Sequence, residues 1–257
     1  MNANEPGQPQ PDDVDGQSTR DLPPPATALA VGAHPDDVEF GCGGTLAKWA
    51  DAGCAVHHVV CTDGSKGTWD ASADIAALAA RRQDEQREAA RRLAGDRAGE
   101  VRFLGVIDGE LEPVVAIRRE IVRAIRELRP DVVLGHDPWK RYRLHPDHRS
   151  AGLLVCDAVV AARDPHFFPG LGGAHHRPTH LLLWEADVVD HVEDVSGSLD
   201  RKLDALEAHE SQHESTMHAV DAGELEAFRA RIRDRLAAIG APHGLAAAEA
   251  FHRISDL

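Results

Sequence analysis

Short apolar runs alternate with longer amphipathic stretches through most of the chain. Ala28–Ala33 is the first run, ending in a polar loop and followed by a helix-like stretch over Gly43–Ala52. Ala55–Cys61 is the second, with the loop Thr62–Asp70 and a long charged helix from Ile75 to Leu93 behind it. Val101–Leu104 predicts a third, short strand. Val114, Ile117, Ile121, Ile125 and Leu128 recur at three- and four-residue steps, which is the apolar stripe of a helix whose other face carries Arg and Glu. Pro130 stops that helix, and Asp131–Gly135 reads as a buried strand. A helix over Ala151–Ala162 and a strand over Thr179–Trp184 continue the alternation, and the C-terminal third reads as helical, clearest at Leu199–His209 and Leu225–Ile239. Strands alternating with helices predict right-handed βαβ units, hence an α/β fold: a Rossmann-like, mostly parallel sheet with helices on both faces, in one domain.

Composition changes this picture at its edges. Residues 1–26 are rich in Pro, Gln, Asp and Gly, too poor in apolar groups to offset their ordering entropy, and predict a disordered tail ahead of a domain spanning 27–257. Residues 163–178 look like an irregular insertion, and a loop of that length is often a lid or an assembly surface. The formal net charge of −15 excludes nucleic acid and anionic membrane surfaces as main partners, since phosphate binding needs a basic face. The start has neither the basic nor the apolar region of a secretory signal, and no window approaches a membrane span. Four scattered cysteines without a CxxC pair suit reduced thiols in a cytoplasmic protein.

The candidate chemistry sits in two clusters. The first strand runs into His34-Pro35-Asp36-Asp37, and the Asp131–Gly135 strand leads through a loop to His145-Pro146-Asp147-His148. In a parallel sheet, strand-end loops converge on one crevice. His34 and Asp37 supply an imidazole nitrogen and a hard oxygen, and one histidine of the second loop would complete a zinc set with an open position for water. Asp36, beside Asp37, cannot easily bind the same ion and is free to take a proton from zinc-activated water as the general base. His145, as an imidazolium, would stabilise an oxyanion or protonate a leaving amine, with Tyr142 a weaker candidate for that task. Either cluster alone reads equally as a capped turn; both at strand ends do not.

These motifs, with Leu104-Gly105-x-x-Asp108-Gly109, resemble the PIG-L/LmbE-like deacetylases over roughly Ala28 to His213. The resemblance implies zinc held by His34, Asp37 and His148, Asp36 as general base and His145 as the polarising histidine. It further implies that Arg81 or Arg82 binds substrate and that Asp108 contacts or shapes the sugar site. The substrate would be an N-acetylated sugar or glycoconjugate, the enzyme a possible homo-oligomer. Val38 stands where the family's motif has Glu, with Glu39 one place on. Two rivals remain: an amidase of thiol-conjugate metabolites on the same core, and a Rossmann-like module that binds carbohydrate or nucleotide without turnover. Gly41, Gly43 and Gly44 hold no GxGxxG register, which counts against nucleotide. Iron or cobalt would also fit a His/Asp set.

Of the remaining histidines, His57-His58 favours a core or surface role and His175-His176 a place in the insertion. His136 and Asp137, at a strand end, are placed to line the site. His209, Gln212 and His213, near the end of a helix, read either as reaching the cavity or as a polar helical face, and the second is favoured.

Overall fold

The computed structural model describes residues 18–257. Its strands are β1 (Thr19–Arg20), β2 (Thr27–Gly32), β3 (Ala55–Thr62), β4 (Ala98–Val106), β5 (Val132–His136), β6 (His180–Trp184), β7 (His191–Asp194) and β8 (Ala248–Ser255). The helices are α1 (Asp37–Asp51), α2 (Ile75–Ala94), α3 (Val115–Leu128), α4 (Pro146–Arg163), α5 (Leu199–Leu206) and α6 (Ala222–Gly240).

One eight-stranded sheet has the order β1-β7-β8-β6-β5-β2-β3-β4. β8 pairs antiparallel with β6 and β7, and every other pairing is parallel. Alternation along β2 shows how the sheet is covered. Leu29 and Val31 pack into the core beneath α3 and α4, while Ala28 and Ala30 face the side of α1 and α2. Both faces are buried, so the parallel strands read as continuous apolar runs. The α/β, mostly parallel architecture expected from the sequence is the observed one.

Several expectations are corrected in detail. α1 starts at Asp37, six residues before the predicted helix, and bends at Cys42, whose φ of −147° is not helical. Its glycines serve packing: a Cβ on Gly41 would lie 2.6 Å from the Trp184 ring. The C-terminal third is not purely helical, since β7 and β8 join the sheet there.

Residues 18–26, which composition assigns to the tail, belong to the domain. β1 pairs with β7, Leu22 is buried, and its backbone N–H donates to Glu193 Oε1 at 2.8 Å. Residues 1–17 lie outside the described residues.

The 163–178 insertion is not a lid. It joins the end of α4 to the start of β6, at the amino ends of the strands, with Thr179 N donating to Asp131 O at 2.6 Å. The Arg126 guanidinium of α3 donates to the carbonyls of Ala161, Ala162, Asp164, Phe167 and Phe168 and pins the segment there.

Candidate metal centre and active site

From β2 the chain moves one way to β3 and β4, then crosses back to β5 on β2's other side. The crevice at this switch point, outside the carboxyl ends of β2 and β5, is where open α/β sheets place ligands. The loop after β2 delivers His34 to Asp37, β5 ends in His136, and the following loop delivers His145 to His148. The exits of β3 and β4 add Lys66 and Asp108. Together they line a cavity of about 590 Å³.

Asp37 is its hub. Its Oδ2 accepts from the His34 backbone N–H at 2.7 Å and lies 3.3 Å from His34 Nδ1. Its Oδ1 lies 3.3 Å from His148 Nε2. His34 Nε2 in turn faces Asp147 Oδ2 at 3.1 Å and Asp108 Oδ1 at 3.3 Å. Three donor groups converge within 4.8 Å: His34–His145–His148, Asp37–His136–His148 and His34–Asp108–Asp147. The His145 ring meets His34 edge-on at 4.6 Å and stacks on His148 at 4.8 Å.

His136 has a different part. The Trp184 indole N–H, which can only donate, reaches His136 Nδ1 at 3.0 Å. With Nδ1 taken by that donor, Nε2 is left facing Asp37 Oδ2 at 3.2 Å and the Ala33 N–H at 3.4 Å. His136 thus stands behind the Asp37 carboxylate, the usual arrangement behind a metal ligand.

The charges fit a cation. Burial pushes His148 down to about 4, leaving its imidazole neutral. Burial favours the acid form of Asp37, yet the imidazoles of His148 and His136 outweigh it and hold the carboxyl well below its usual range. Burial also opposes charge on His34, but bonds to Asp108, Asp147 and Asp37 push it up to about 12. Three carboxylates around one imidazole, beside a neutral histidine, form a donor set suited to a divalent ion.

Asp36 departs from its neighbour. Burial raises its carboxyl to about 6, against the opposing pull of Arg82, whose Nη2 lies 3.3 Å from Asp36 Oδ2. Its φ of 93° is rare for a residue with a side chain. Burial and the nearby His34 push His145 below the usual histidine range, a direction that disfavours the imidazolium expected from the sequence.

The two arginines are placed differently. Arg82 is buried and lines the cavity, whereas Arg81 faces outward and pairs with Glu85 and Glu210. Asp108 lines the cavity as expected. Tyr142 does not: it is 93% exposed and is not among the residues that line it.

Sequence reasoning missed three contributors. Asp147 lies inside the HPDH motif and was readable as its third residue; it also accepts from the N–H groups of Gly109 and Leu111. Arg143 donates to Glu185 at 2.7 Å beside His148, and Gln86 accepts from the Asp36 N–H at 2.9 Å; no local pattern marks them. Gln212 lines the cavity rather than forming only a polar helical face. His209 is fully buried against Glu39 rather than on a polar face, and His58 lies near the same carboxylate. His57 accepts from the Glu100 N–H, His175 and His176 stay in the insertion, and Asp137 accepts from the N–H groups of Trp139 in its own loop and of Asp187 in the loop after β6.

A doubly wound sheet with a histidine–carboxylate cluster and a separate buried carboxylate at its switch point has the build of a metal-dependent hydrolase. Residues 29–159 match the PIG-L family, GlcNAc-PI de-N-acetylase, and the chain belongs to it. It is 36% identical over 198 residues to the diacetylchitobiose deacetylase of Thermococcus kodakarensis, covering 72% of this chain and 69% of that one. It is 31% identical over 241 residues to the 1D-myo-inositol 2-acetamido-2-deoxy-alpha-D-glucopyranoside deacetylase of Rhodococcus erythropolis, covering 72% and 80%. The solved N,N'-diacetylchitobiose deacetylase of Pyrococcus horikoshii superposes with a TM-score of 0.80 at 28% identity, over 90% of this chain and 84% of that one. The protein is a deacetylase, a hydrolase of amide bonds, in a metal-dependent family.

Proposed function

We propose that this deacetylase removes the acetyl group of an N-acetylated amino sugar or glycoconjugate, with zinc held by His34, Asp37 and His148. The observation that carries the ligand assignment is the Asp37 carboxylate, which lies 3.3 Å from both His34 Nδ1 and His148 Nε2. Bound there, zinc would polarise the acetyl carbonyl and acidify water. Asp36, adjacent and at about 6, takes the proton of the attacking water. The same carboxyl then returns that proton to the departing nitrogen, so the amine leaves neutral with acetic acid, which gives up its own proton to water to become acetate. His145, uncharged, donates its ring N–H to the carbonyl oxygen as negative charge develops. Arg82 holds the Asp36 carboxylate, and Asp108 lines the sugar side of the cavity.

The sugar is supported by the relatives, whose names specify acetylated glucosamine compounds. Cys42, Cys54, Cys61 and Cys156 are free thiols, which supports a reducing, cytoplasmic setting. No described helix is long and apolar enough to cross a membrane.

The test is release of acetate and free amine from N-acetylglucosamine, diacetylchitobiose and simple glycosides, with metal content measured in parallel. Near-stoichiometric zinc, lost together with turnover in His148→Ala, is the expected result. Turnover that survives in metal-free protein overturns the reading.

A further inference from the structure

A second cavity, of about 260 Å³, adjoins the active-site cavity, and the two share Phe40, Gly41, Glu185 and Arg235 along their common edge. Ile232, Leu236 and Ile239 of α6 give it an apolar wall, with Val189 opposite. Its charges do not balance. Glu249 accepts from the N–H groups of Gly44 and Thr45 at 2.9 and 2.8 Å and from Lys202 at 2.6 Å, so that carboxylate and that ammonium neutralise each other. Glu185 is taken by Arg143 at 2.7 Å. Arg235, at the junction, makes no hydrogen bond or ion pair among the described residues. Lys140 donates to the Ala186 carbonyl at 3.1 Å and has no acidic partner within 4.0 Å among them. In a chain of net charge −15, two cations without an ion-pair partner among the described residues line one largely apolar cavity.

We propose that this cavity is a subsite for the part of the substrate beyond the acetamido sugar, and that this part has an apolar body carrying an anionic group, a carboxylate or a phosphate. The proposal rests on the deacetylase reading for what occupies the first cavity. The shared edge lets one molecule fill both: the acetamide beside Asp36 and His145, the aglycone past Phe40 along α6. The guanidinium of Arg235 offers the paired donors that planar or tetrahedral oxyanions take up, and Lys140 adds a point charge. An unpaired carboxylate on the aglycone would gain on both, whereas a neutral aglycone of the same shape would gain the apolar wall alone.

The probes are two pairs of N-acetylglucosamine glycosides, in both anomers: phenyl, and phenyl bearing a para-carboxylate. Wild type should show kcat/KM about tenfold or more in favour of the carboxylated member of a pair, through KM. Arg235→Ala and Lys140→Ala should each bring that ratio close to one, and Arg235→Lys should keep part of it. A wild-type ratio of one or less overturns the subsite, as does a ratio that both alanine variants leave intact. Calorimetric titration of the same glycosides separates this from the reaction itself. If neither compound is hydrolysed, the deacetylase reading of these substrates fails, while the affinity ratio and its loss in Arg235→Ala still decide the subsite.

Discussion

Asp36 combines two costs that a folded chain normally avoids, a left-handed backbone at φ 93° and a buried carboxyl. Strain of that kind persists where surrounding groups over-determine it, and here Arg82 donates to the Pro35 carbonyl at 2.7 Å while Gln86 takes the Asp36 N–H. Asp36→Asn is therefore the informative substitution: asparagine tolerates positive φ, keeps the shape and loses the base. Turnover should fall by roughly 10²–10⁴ with metal content unchanged, because the proposed ligands are untouched. Steady-state kinetics beside metal analysis check this, and loss of the metal would sink the division of roles between the two adjacent aspartates. Asp37 and Asp36 differ in sequence by nothing, so their separation is purely environmental. One is surrounded by imidazoles and kept ionised; the other is buried against one guanidinium and kept near 6.

At the scale of elements, α2 is the clamp on that turn. Arg82 and Gln86 stand one helical turn apart, so both side chains leave the same face toward the loop after β2. Gln86 suits its place because an amide both accepts from the Asp36 N–H and donates to Glu39 Oε1 at 2.8 Å. Gln86→Met leaves a buried N–H and a buried carboxylate short of partners, a loss of about 1–3 kcal/mol in denaturant melts. It should also lower kcat more than it raises KM, since the base is misplaced and not the sugar. A kcat equal to that of the parent would show that the strained turn needs no such support. Arg82 makes a separate prediction with a definite sign. In the proposed mechanism activity requires ionised Asp36, so kcat/KM falls as pH drops through the pKa of that group. The Arg82 charge pulls this pKa down, so Arg82→Gln should move the acid limb to higher pH by about one pH unit. A limb that stays in place, with the metal present in both proteins, would detach Arg82 from the base.

For the whole molecule, what could be read in the chain depended on who neutralises whom. β2, β3, β5 and β6 are apolar runs buried on both faces, and the loops that leave them carry the HPDD and HPDH clusters, so the parallel core and the heart of the site were legible. β7 and β8 were not, because their inward positions include Glu193 and Glu249, carboxylates that read as solvent-facing until paired with Lys48 and Lys202 from distant helices. Arg143 and Gln86 escape notice for the same reason: only the fold brings them to the crevice. The domain's beginning follows this logic too. Polar composition hides β1, yet Asp21 pairs with Lys48 at 2.8 Å, Leu22 fills a core position, and its N–H satisfies the buried Glu193. A chain beginning at residue 27 loses all three partners of that corner, whereas one beginning at residue 18 keeps them. Truncating Leu22 alone to Ala should cost about 2 kcal/mol, and the shorter chain more, because Glu193 then loses a donor as well. Thermal melts of the two chains should differ by roughly 5–15 °C. Turnover in the cold should be similar for both, since β1 lies at the sheet edge away from the β2–β5 crevice. Equal melting temperatures would return residues 18–26 to the tail.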